Sequence, residues 1–275
     1  MVESLPDFLQ TTQDFHDEWS EEDPKNPLWF RGQEADKRLQ PRVYRDEAGT
    51  LDESEVRYEF QRRAIQFPLV HSPSSDWEWY FLMQHYRVPT RLLDWSEGAL
   101  LALHFALCSN DGGTDAAVWV LDPFWLNQTV LRRSGILRAL SRRQREFARE
   151  FLPDPKDKRT KWIRRYLPET YSRARLPRLP AALQPPHIDR RIAARLSAFT
   201  IHGRSPVGLE QVARHSTGPR LAKIRIPASC VADIRRRLML SGVAETTVFA
   251  DLEGLGRDVT YLFSETFTEK PRGNK

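Results

Sequence analysis

The spacing of apolar and polar positions predicts helices through the first half of the chain. Apolar residues recur at helical spacing in Ser4–Trp19, and Glu53–Phe67 is typical of a charged helix. An aromatic-rich helix is predicted over Trp77–Tyr86, and the Val88-Pro89 pair ends it because proline disfavours helical backbone before it. The segment Gly98–Cys108 is apolar on most sides, which indicates a buried helix.

Shorter apolar segments predict strands. Pro27–Gln33 is a short aromatic strand that ends at a glycine, and the continuous apolar run Ala116–Leu121 is the expected central strand. Leu221–Pro227 alternates apolar and basic residues, as a half-buried strand does, whereas Thr246–Leu255 is expected to be irregular. Strands and helices do not alternate regularly, so the predicted fold class is α+β, with a single mixed or antiparallel sheet and flanking helices.

The pattern changes between residues 124 and 186. Basic helical pieces alternate with prolines there, and we interpret the segment as a basic, largely helical insertion or lid. The whole chain, residues 1–275, is predicted to be one domain that contains this insertion and ends in a frayed tail at 268–275.

Charge is concentrated in the same region. Arg132–Arg178 contains 16 Lys/Arg and 5 Asp/Glu, a net charge of +11; since the whole chain carries +5, the remainder carries −6. Such an island favours nucleic acid or another anionic macromolecule as partner, because phosphates are abundant cellular anions. The alternative is an ordinary solvated helical face.

Composition excludes several classes of protein. Apolar residues make up 40% and charged residues 29% of the chain, a globular balance, and the longest apolar run is too short to span a bilayer. The two cysteines, Cys108 and Cys230, are far apart and lack Cys-x-x-Cys spacing. We therefore expect no membrane partner, no disulfide framework, no metal site and a cytoplasmic location.

Arg31 is the first candidate for chemistry. It follows two aromatic residues and precedes Gly32, where the backbone of a neighbour can approach closely. A guanidinium in that setting is suited to gripping a phosphate or carboxylate through paired hydrogen bonds. The alternative is an internal pair with an acid such as Asp94.

A second candidate segment is Gln84–Trp95, where polar residues are threaded between apolar ones. His85 has the chemistry of an acid, a base or a hydrogen-bond donor, and Asp94 is suited to capping the next helix or pairing with Arg91. Glu245 follows a helix end, either as a capping acid or as a carboxylate aimed into a site.

These segments resemble the FRG-domain family. Trp29–Gln33 resembles the Phe/Tyr-Arg-Gly motif that names it, and Gln84–Trp95 resembles its second block. Arg191-Ile192 with Phe199–Gly203 resembles the third block, and Glu245–Leu255 the last. Two positions depart from the pattern: Arg87, where the family tends to have a small residue, and Ala250, where proline is usual. Arg87 is expected to narrow or charge the site.

A weaker similarity is to ADP-ribosyltransferases, and it implies NAD as cofactor. By that resemblance Arg31, a middle segment (Thr90–Trp95 or Ser197–Thr200) and Glu245 form the site, with the glutamate stabilising oxocarbenium-like charge as the nicotinamide bond breaks. His85, from its own acid–base chemistry, is the third expected catalytic residue beside Arg31 and Glu245. The acceptor would be a macromolecule in a bacterial conflict or defence setting. The alternatives are a non-catalytic nucleic-acid-binding module and a nucleotide sensor. The residues expected around NAD are Arg31, Gly32, Gln33, Tyr86, Thr90, Arg91, Asp94 and Trp95.

Overall fold

The computed structural model describes residues 1–19, 26–45, 52–67, 73–108, 110, 113–133, 152–155, 158–167, 176–185, 197–249 and 252–264. Within these ranges the helices are α1 (Leu5–Trp19), α2 (Glu53–Ala64), α3 (Asp76–His85), α4 (Ala99–Leu107), α5 (Pro123–Arg133), α6 (Leu209–Arg214), α7 (Ala228–Leu240), α8 (Glu245–Phe249) and α9 (Leu252–Leu262). The strands are β1 (Trp29–Glu34), β2 (Leu92–Ser96), β3 (Ala116–Leu121), β4 (Ala181–Leu183), β5 (Ser197–Ile201) and β6 (Leu221–Ile226), and 3₁₀ turns cover Arg42–Tyr44 and Lys158–Tyr166.

The six strands form one sheet in the order β4-β5-β2-β1-β3-β6, and every neighbouring pair is antiparallel. This confirms the predicted α+β class. Most pairs are extensive, and β1 aligns with β3 over all six of its residues. The β1–β2 pair is different, since Phe30 opposite Ser96 is its single register match. We call this weakly paired junction of β1 and β2 the seam.

Helices cover both faces of the sheet. On one face, α1, α4 and α7 pack over β1, β3 and β6, while α3 and the second 3₁₀ turn pack over β2, β4 and β5. On the other face, α5 and α6 pack against a cluster that includes Trp29, Trp95 and Trp119. The first face therefore holds two apolar clusters side by side, and the seam lies where they meet.

The helices and strands predicted in the first half of the chain are confirmed to within a few residues. The prediction that Thr246–Leu255 is irregular is wrong, because this segment contains most of α8 and the start of α9. Gly254 and Gly256 lie inside α9, and each glycine lowers intrinsic helix propensity by about 1 kcal/mol. Packing against α8 stabilises a helix that local propensity does not favour.

The described parts of residues 124–186 belong to the main body. Strand β4 is a member of the sheet, and Asn127 of α5 exchanges hydrogen bonds with the backbone of Ala182 at 3.0 and 2.8 Å. Ile163 and Tyr166 are fully buried in the cluster beneath α3. Residues 134–151 and 168–175, which carry much of the basic island, lie outside the described residues, as do Arg191-Ile192, Ala250 and the tail 268–275.

No helix in the described ranges has the length and apolar character that crossing a membrane requires.

Candidate functional site

A cavity of about 440 Å³ opens on the first face of the sheet, above the seam. Ligand-binding pockets in proteins usually enclose a few hundred Å³ or more, so it has room for a small molecule. Strands β1, β2 and β5 form its floor, and α3, α4 and the end of α8 form its walls. Its lining residues are Phe30, Arg31, Gly32, Phe81, Gln84, His85, Arg87, Asp94, Trp95, Ser96, Phe105, Cys108, Ser197, Phe199 and Phe249. We call it the seam pocket.

Gly32 determines how closely α4 approaches the sheet. A Cβ atom at this position would lie 1.8 Å from the carbonyl oxygen of Ala102 and 2.5 Å from the backbone nitrogen of Ala106. Both distances are far below van der Waals contact, so only glycine allows this packing. The glycine of the aromatic-Arg-Gly segment therefore seats the helix that forms one wall of the pocket.

Arg31 bridges the seam. Its Nη1 donates to the backbone carbonyl of Asp94 at 2.7 Å, and its Nε donates to Oε1 of Gln33 at 3.3 Å. The Nη2 group makes no hydrogen bond to any residue in the described ranges. A guanidinium carries five N–H donors, so several remain available to an anion in the pocket.

The electrostatic setting of Arg31 also favours an anion. Burial lowers the pKa of the Arg31 guanidinium, the neighbouring Asp94 opposes that shift, and Arg45 adds to it. Arg45 lies close to Arg42, and Arg42 donates from Nη1 to the carbonyl of Arg87 at 2.8 Å. Arg31 and Arg45 thus both lie near the carboxylate of Asp94, and an incoming anion would offset their mutual repulsion.

Asp94 is held by a chain of hydrogen bonds. The backbone N–H of Leu92 donates to Oγ1 of Thr90 at 3.1 Å, and that hydroxyl donates to Oε1 of Gln84. Gln84 Nε2 then donates to Oδ2 of Asp94 at 2.7 Å. Oδ1 of Asp94 has no hydrogen-bond donor among the described residues, and the side chain is exposed in the cavity. The chain therefore fixes the carboxylate and leaves one acceptor for a ligand.

Arg87 adopts a backbone conformation that favours glycine. Its φ is +61°, and it is the single non-glycine residue with positive φ in the described part of the chain. The N–H of Val88 bonds to the carbonyl of Met83 at 2.9 Å, and that of Arg87 to the carbonyl of Gln84 at 3.1 Å. This is the Schellman ending of a helix, in which glycine usually occupies the left-handed position. It explains why a small residue is expected there, and Arg87 is one of the residues that line the pocket.

The structure gathers some of the predicted site residues and separates others. Arg31, Gly32, His85, Asp94 and Trp95 line the seam pocket. The others do not line it. Gln33 and Thr90 are buried and bond to Arg31 and Gln84, whereas Tyr86 is exposed and lines another cavity beside α2. Arg91 and Glu245 are buried elsewhere.

Arg91 is enclosed in the fold. It forms an ion pair with Glu53 at 2.7 Å and donates to the backbone carbonyls of His202, at 2.8 Å, and Tyr166, at 2.5 Å. Its side chain is 2% exposed. Every nitrogen of this guanidinium is bonded to the protein, so its position is that of a structural cation joining α2, the residue after β5 and the second 3₁₀ turn.

Glu245 lies behind the wall of the pocket that Phe105 and Phe249 form. It is the first residue of α8, and its carboxylate meets Arg257 Nε at 2.9 Å and His104 Nε2 at 3.3 Å. Burial lowers the pKa of His104, which Glu245 opposes, and burial raises the pKa of Cys108 to about 11. The side chains of His104, Cys108 and Glu245 form one cluster. The sequence signal for this cluster is the four-residue spacing of His104 and Cys108 on α4, which is not a Cys-x-x-Cys motif.

The architecture defines the class of protein as α+β, with one antiparallel sheet and a cationic, aromatic pocket over its seam. Residues 26–115 match the family model for the FRG domain, and this part of the chain is an FRG domain. The matched segment runs from β1 to α4 and includes Arg31, Arg87 and Asp94. Comparison with the curated proteins and with the solved structures finds no match.

Proposed function

We propose that the seam pocket binds a nucleotide-type ligand, an aromatic ring joined through ribose to phosphate, and that NAD is the first ligand to test. One observation carries the proposal: Arg31 lines an aromatic cavity with its Nε and Nη1 fixed by the protein and its Nη2 unbonded within the described ranges. A guanidinium fixed in this way is prepared for a phosphate, since little further ordering is required on binding.

The walls suit the rest of such a ligand. Aromatic side chains on the first face surround the cavity and offer flat apolar surface to a base or nicotinamide ring; they are Phe30, Phe81, Phe105, Phe199 and Phe249. Asp94 supplies the acceptor that a ribose hydroxyl needs, because its Oδ1 has no donor among the described residues. Arg87 adds a second cationic residue to the lining.

Calorimetry with the full-length chain tests the proposal. NAD and ADP-ribose should both bind, and nicotinamide alone should bind more weakly because it lacks the phosphates. Arg31→Lys keeps the charge but loses the planar fork, and we expect at least tenfold weaker binding. Arg164→Gln removes an exposed arginine outside the pocket and should leave the affinity unchanged. Absence of binding heat with all three ligands would reject the proposal.

Asp94→Asn separates the ribose contact from the phosphate contact. The asparagine oxygen still accepts from Gln84, so the fold is kept, while the charge on the free acceptor is lost. We expect weaker binding of NAD and ADP-ribose and little change for inorganic pyrophosphate. An equal loss for all three would mean that Asp94 acts through Arg31 and not through ribose.

Transfer of ADP-ribose is the second candidate function, and the position of Asp94 favours it. The transferase resemblance requires a carboxylate next to the bound NAD, and Glu245 does not line the pocket whereas Asp94 does. If the bond to nicotinamide breaks here, Asp94 would be the residue that stabilises the developing positive charge. Release of nicotinamide from NAD, abolished in Asp94→Asn and retained in Glu245→Gln, is the expected result.

Binding of nucleic acid through the basic island is a separate proposal. In its described parts, Arg132, Arg133, Arg164 and Arg165 are exposed. Phosphate contacts release counterions, so affinity for a DNA or RNA duplex should fall steeply as salt rises. A flat salt dependence would count against this partner.

A further inference from the structure

Three different kinds of metal-binding side chain lie together beside the seam pocket. They belong to His104, Cys108 and Glu245. His104 and Cys108 are four residues apart on α4, a spacing that places both side chains on one face of the helix. Glu245 reaches the same point from the first residue of α8. The ring nitrogen, the sulfur and a carboxylate oxygen all lie within 4.8 Å of one another. This combination of donors is typical of Zn²⁺.

The contact between His104 and Glu245 has the geometry of two ligands of one ion. Nε2 and Oε1 lie 3.3 Å apart, and two tetrahedral ligands at zinc–nitrogen and zinc–oxygen bond lengths are separated by about 3.3 Å. Nε2 of His104 is buried, and among the described residues Oε1 of Glu245 is the acidic oxygen that it meets.

The surroundings support a fixed ligand set. Arg257 donates to Oε2 of Glu245 at 2.9 Å, which leaves Oε1 for a metal and fixes the carboxylate orientation. Asp258 accepts from the backbone N–H of Glu245 at 2.9 Å and from that of Thr246 at 2.8 Å, so the start of α8 is held in place. Partners of this kind around the ligands raise metal affinity in known sites.

We propose that His104 Nε2, Cys108 Sγ and Glu245 Oε1 bind a divalent transition metal, zinc foremost. On binding, the Cys108 thiol gives its proton to solvent and a metal–thiolate bond forms. The thiolate and the carboxylate then balance the two positive charges of the ion. Three ligands leave one position of a tetrahedral ion open for water or another group. Cys108 also lines the seam pocket, so the metal would lie next to that cavity. The proposal does not depend on what ligand that pocket binds.

Cobalt titration of the chelator-treated, full-length chain tests the proposal. Co²⁺ replaces zinc in such sites, and a bound thiolate gives a charge-transfer band in the near ultraviolet together with visible absorption of tetrahedral cobalt. We expect both to saturate at one Co²⁺ per chain, and one equivalent of Zn²⁺ to abolish them. One proton should be released per metal bound in weakly buffered solution.

Cysteine variants identify the ligand. Cys108→Ser should lose the charge-transfer band, whereas Cys230→Ser, which replaces the other cysteine on α7, should keep it. Glu245→Gln should weaken binding at least tenfold. Wild-type protein without a saturable band, or a band that persists in Cys108→Ser, would overturn the proposal. The wild-type titration decides the question even if a variant fails to fold.

Discussion

Arg31 and Asp94 are joined by a hydrogen bond from Nη1 to the backbone carbonyl, 2.7 Å long, across the seam of the sheet. At this junction the strands share one register pair, so the guanidinium supplies a link that the backbone ladder does not. The two aromatic residues before Arg31 lie on opposite faces, Trp29 in the cluster under α5 and Phe30 under α4. The strand is thus fixed on both sides, and Arg31, which alternates onto the face of Trp29, reaches across the seam to the backbone of Asp94.

Gly32→Ala should destabilise the protein severely. The added methyl group would overlap the backbone of α4, and relief requires the helix to move away from β1. We expect a loss of roughly 3 kcal/mol or more in the free energy of unfolding, the upper end for overpacked positions. Chemical denaturation measures it.

Gly256→Ala is the matched control for that substitution. A Cβ at Gly256 meets no atom within 4 Å, and the residue lies in α9. Alanine should therefore be neutral or stabilise by up to about 1 kcal/mol. Similar losses in both variants would show that the contact between Gly32 and α4 is not the cause.

Arg87→Gly should stabilise the protein and weaken ligand binding together. A left-handed conformation costs a residue with a side chain about 1–2 kcal/mol, and glycine removes that strain at the end of α3. We expect a gain of about 1 kcal/mol by chemical denaturation. Arg87→Ala keeps the strain but also removes the charge, so it should weaken nucleotide binding without the gain in stability.

Arg91→Met should cost about 3–5 kcal/mol of stability, because it leaves the carboxylate of Glu53 and two carbonyls without their donor. Nucleotide affinity of the folded fraction should be unchanged, since Arg91 does not line the pocket. The exposed pair of Arg62 and Glu59 is the comparison: Glu59→Gln should barely change the melting temperature. A selective loss of binding in a stable Arg91→Met protein would contradict the structural role.

His202 should make stability depend on pH. Burial is the main reason that its pKa is lowered to about 3, with the charge of Arg91 adding to the effect. The unfolded chain therefore binds a proton that the folded chain rejects, so this contribution is present above pH 6.5 and is lost as the pH falls toward 3. Linkage gives about 1.4 kcal/mol per pH unit in that window.

His202→Leu tests this dependence, because it removes the titrating group from the core. Between pH 7 and pH 5 the wild type should lose about 2 kcal/mol more stability than the variant. His215→Leu, at an exposed histidine, should keep the wild-type profile. Parallel profiles for wild type and His202→Leu would show that the folded protein accepts the proton at another site.

Much of the fold follows from local pattern. Three signals depend on residues close together in the chain, so the elements they determine are predictable from the sequence. They are the helical spacing that gives α1, the apolar run that gives β3, and the Val88-Pro89 pair that ends α3. The last two helices are not, because Gly254 allows a close approach to the backbone of Glu245 and Asp258 binds the start of α8. Those stabilising contacts are made between segments and leave no periodic signal.

Some features of the candidate site also follow from neighbours along the chain, and others depend on tertiary packing. The sequence by itself determined that Arg31 stands on an aromatic strand beside a glycine and that Gln84–Trp95 carries polar groups into an apolar setting, since neighbours along the chain create both features. Only the tertiary structure decided that Asp94 shares the pocket with Arg31 while Arg91 joins Glu53 and Glu245 joins His104. Such pairings depend on how the helices pack on the sheet, because burial forces each charged group to take whichever partner packing brings near.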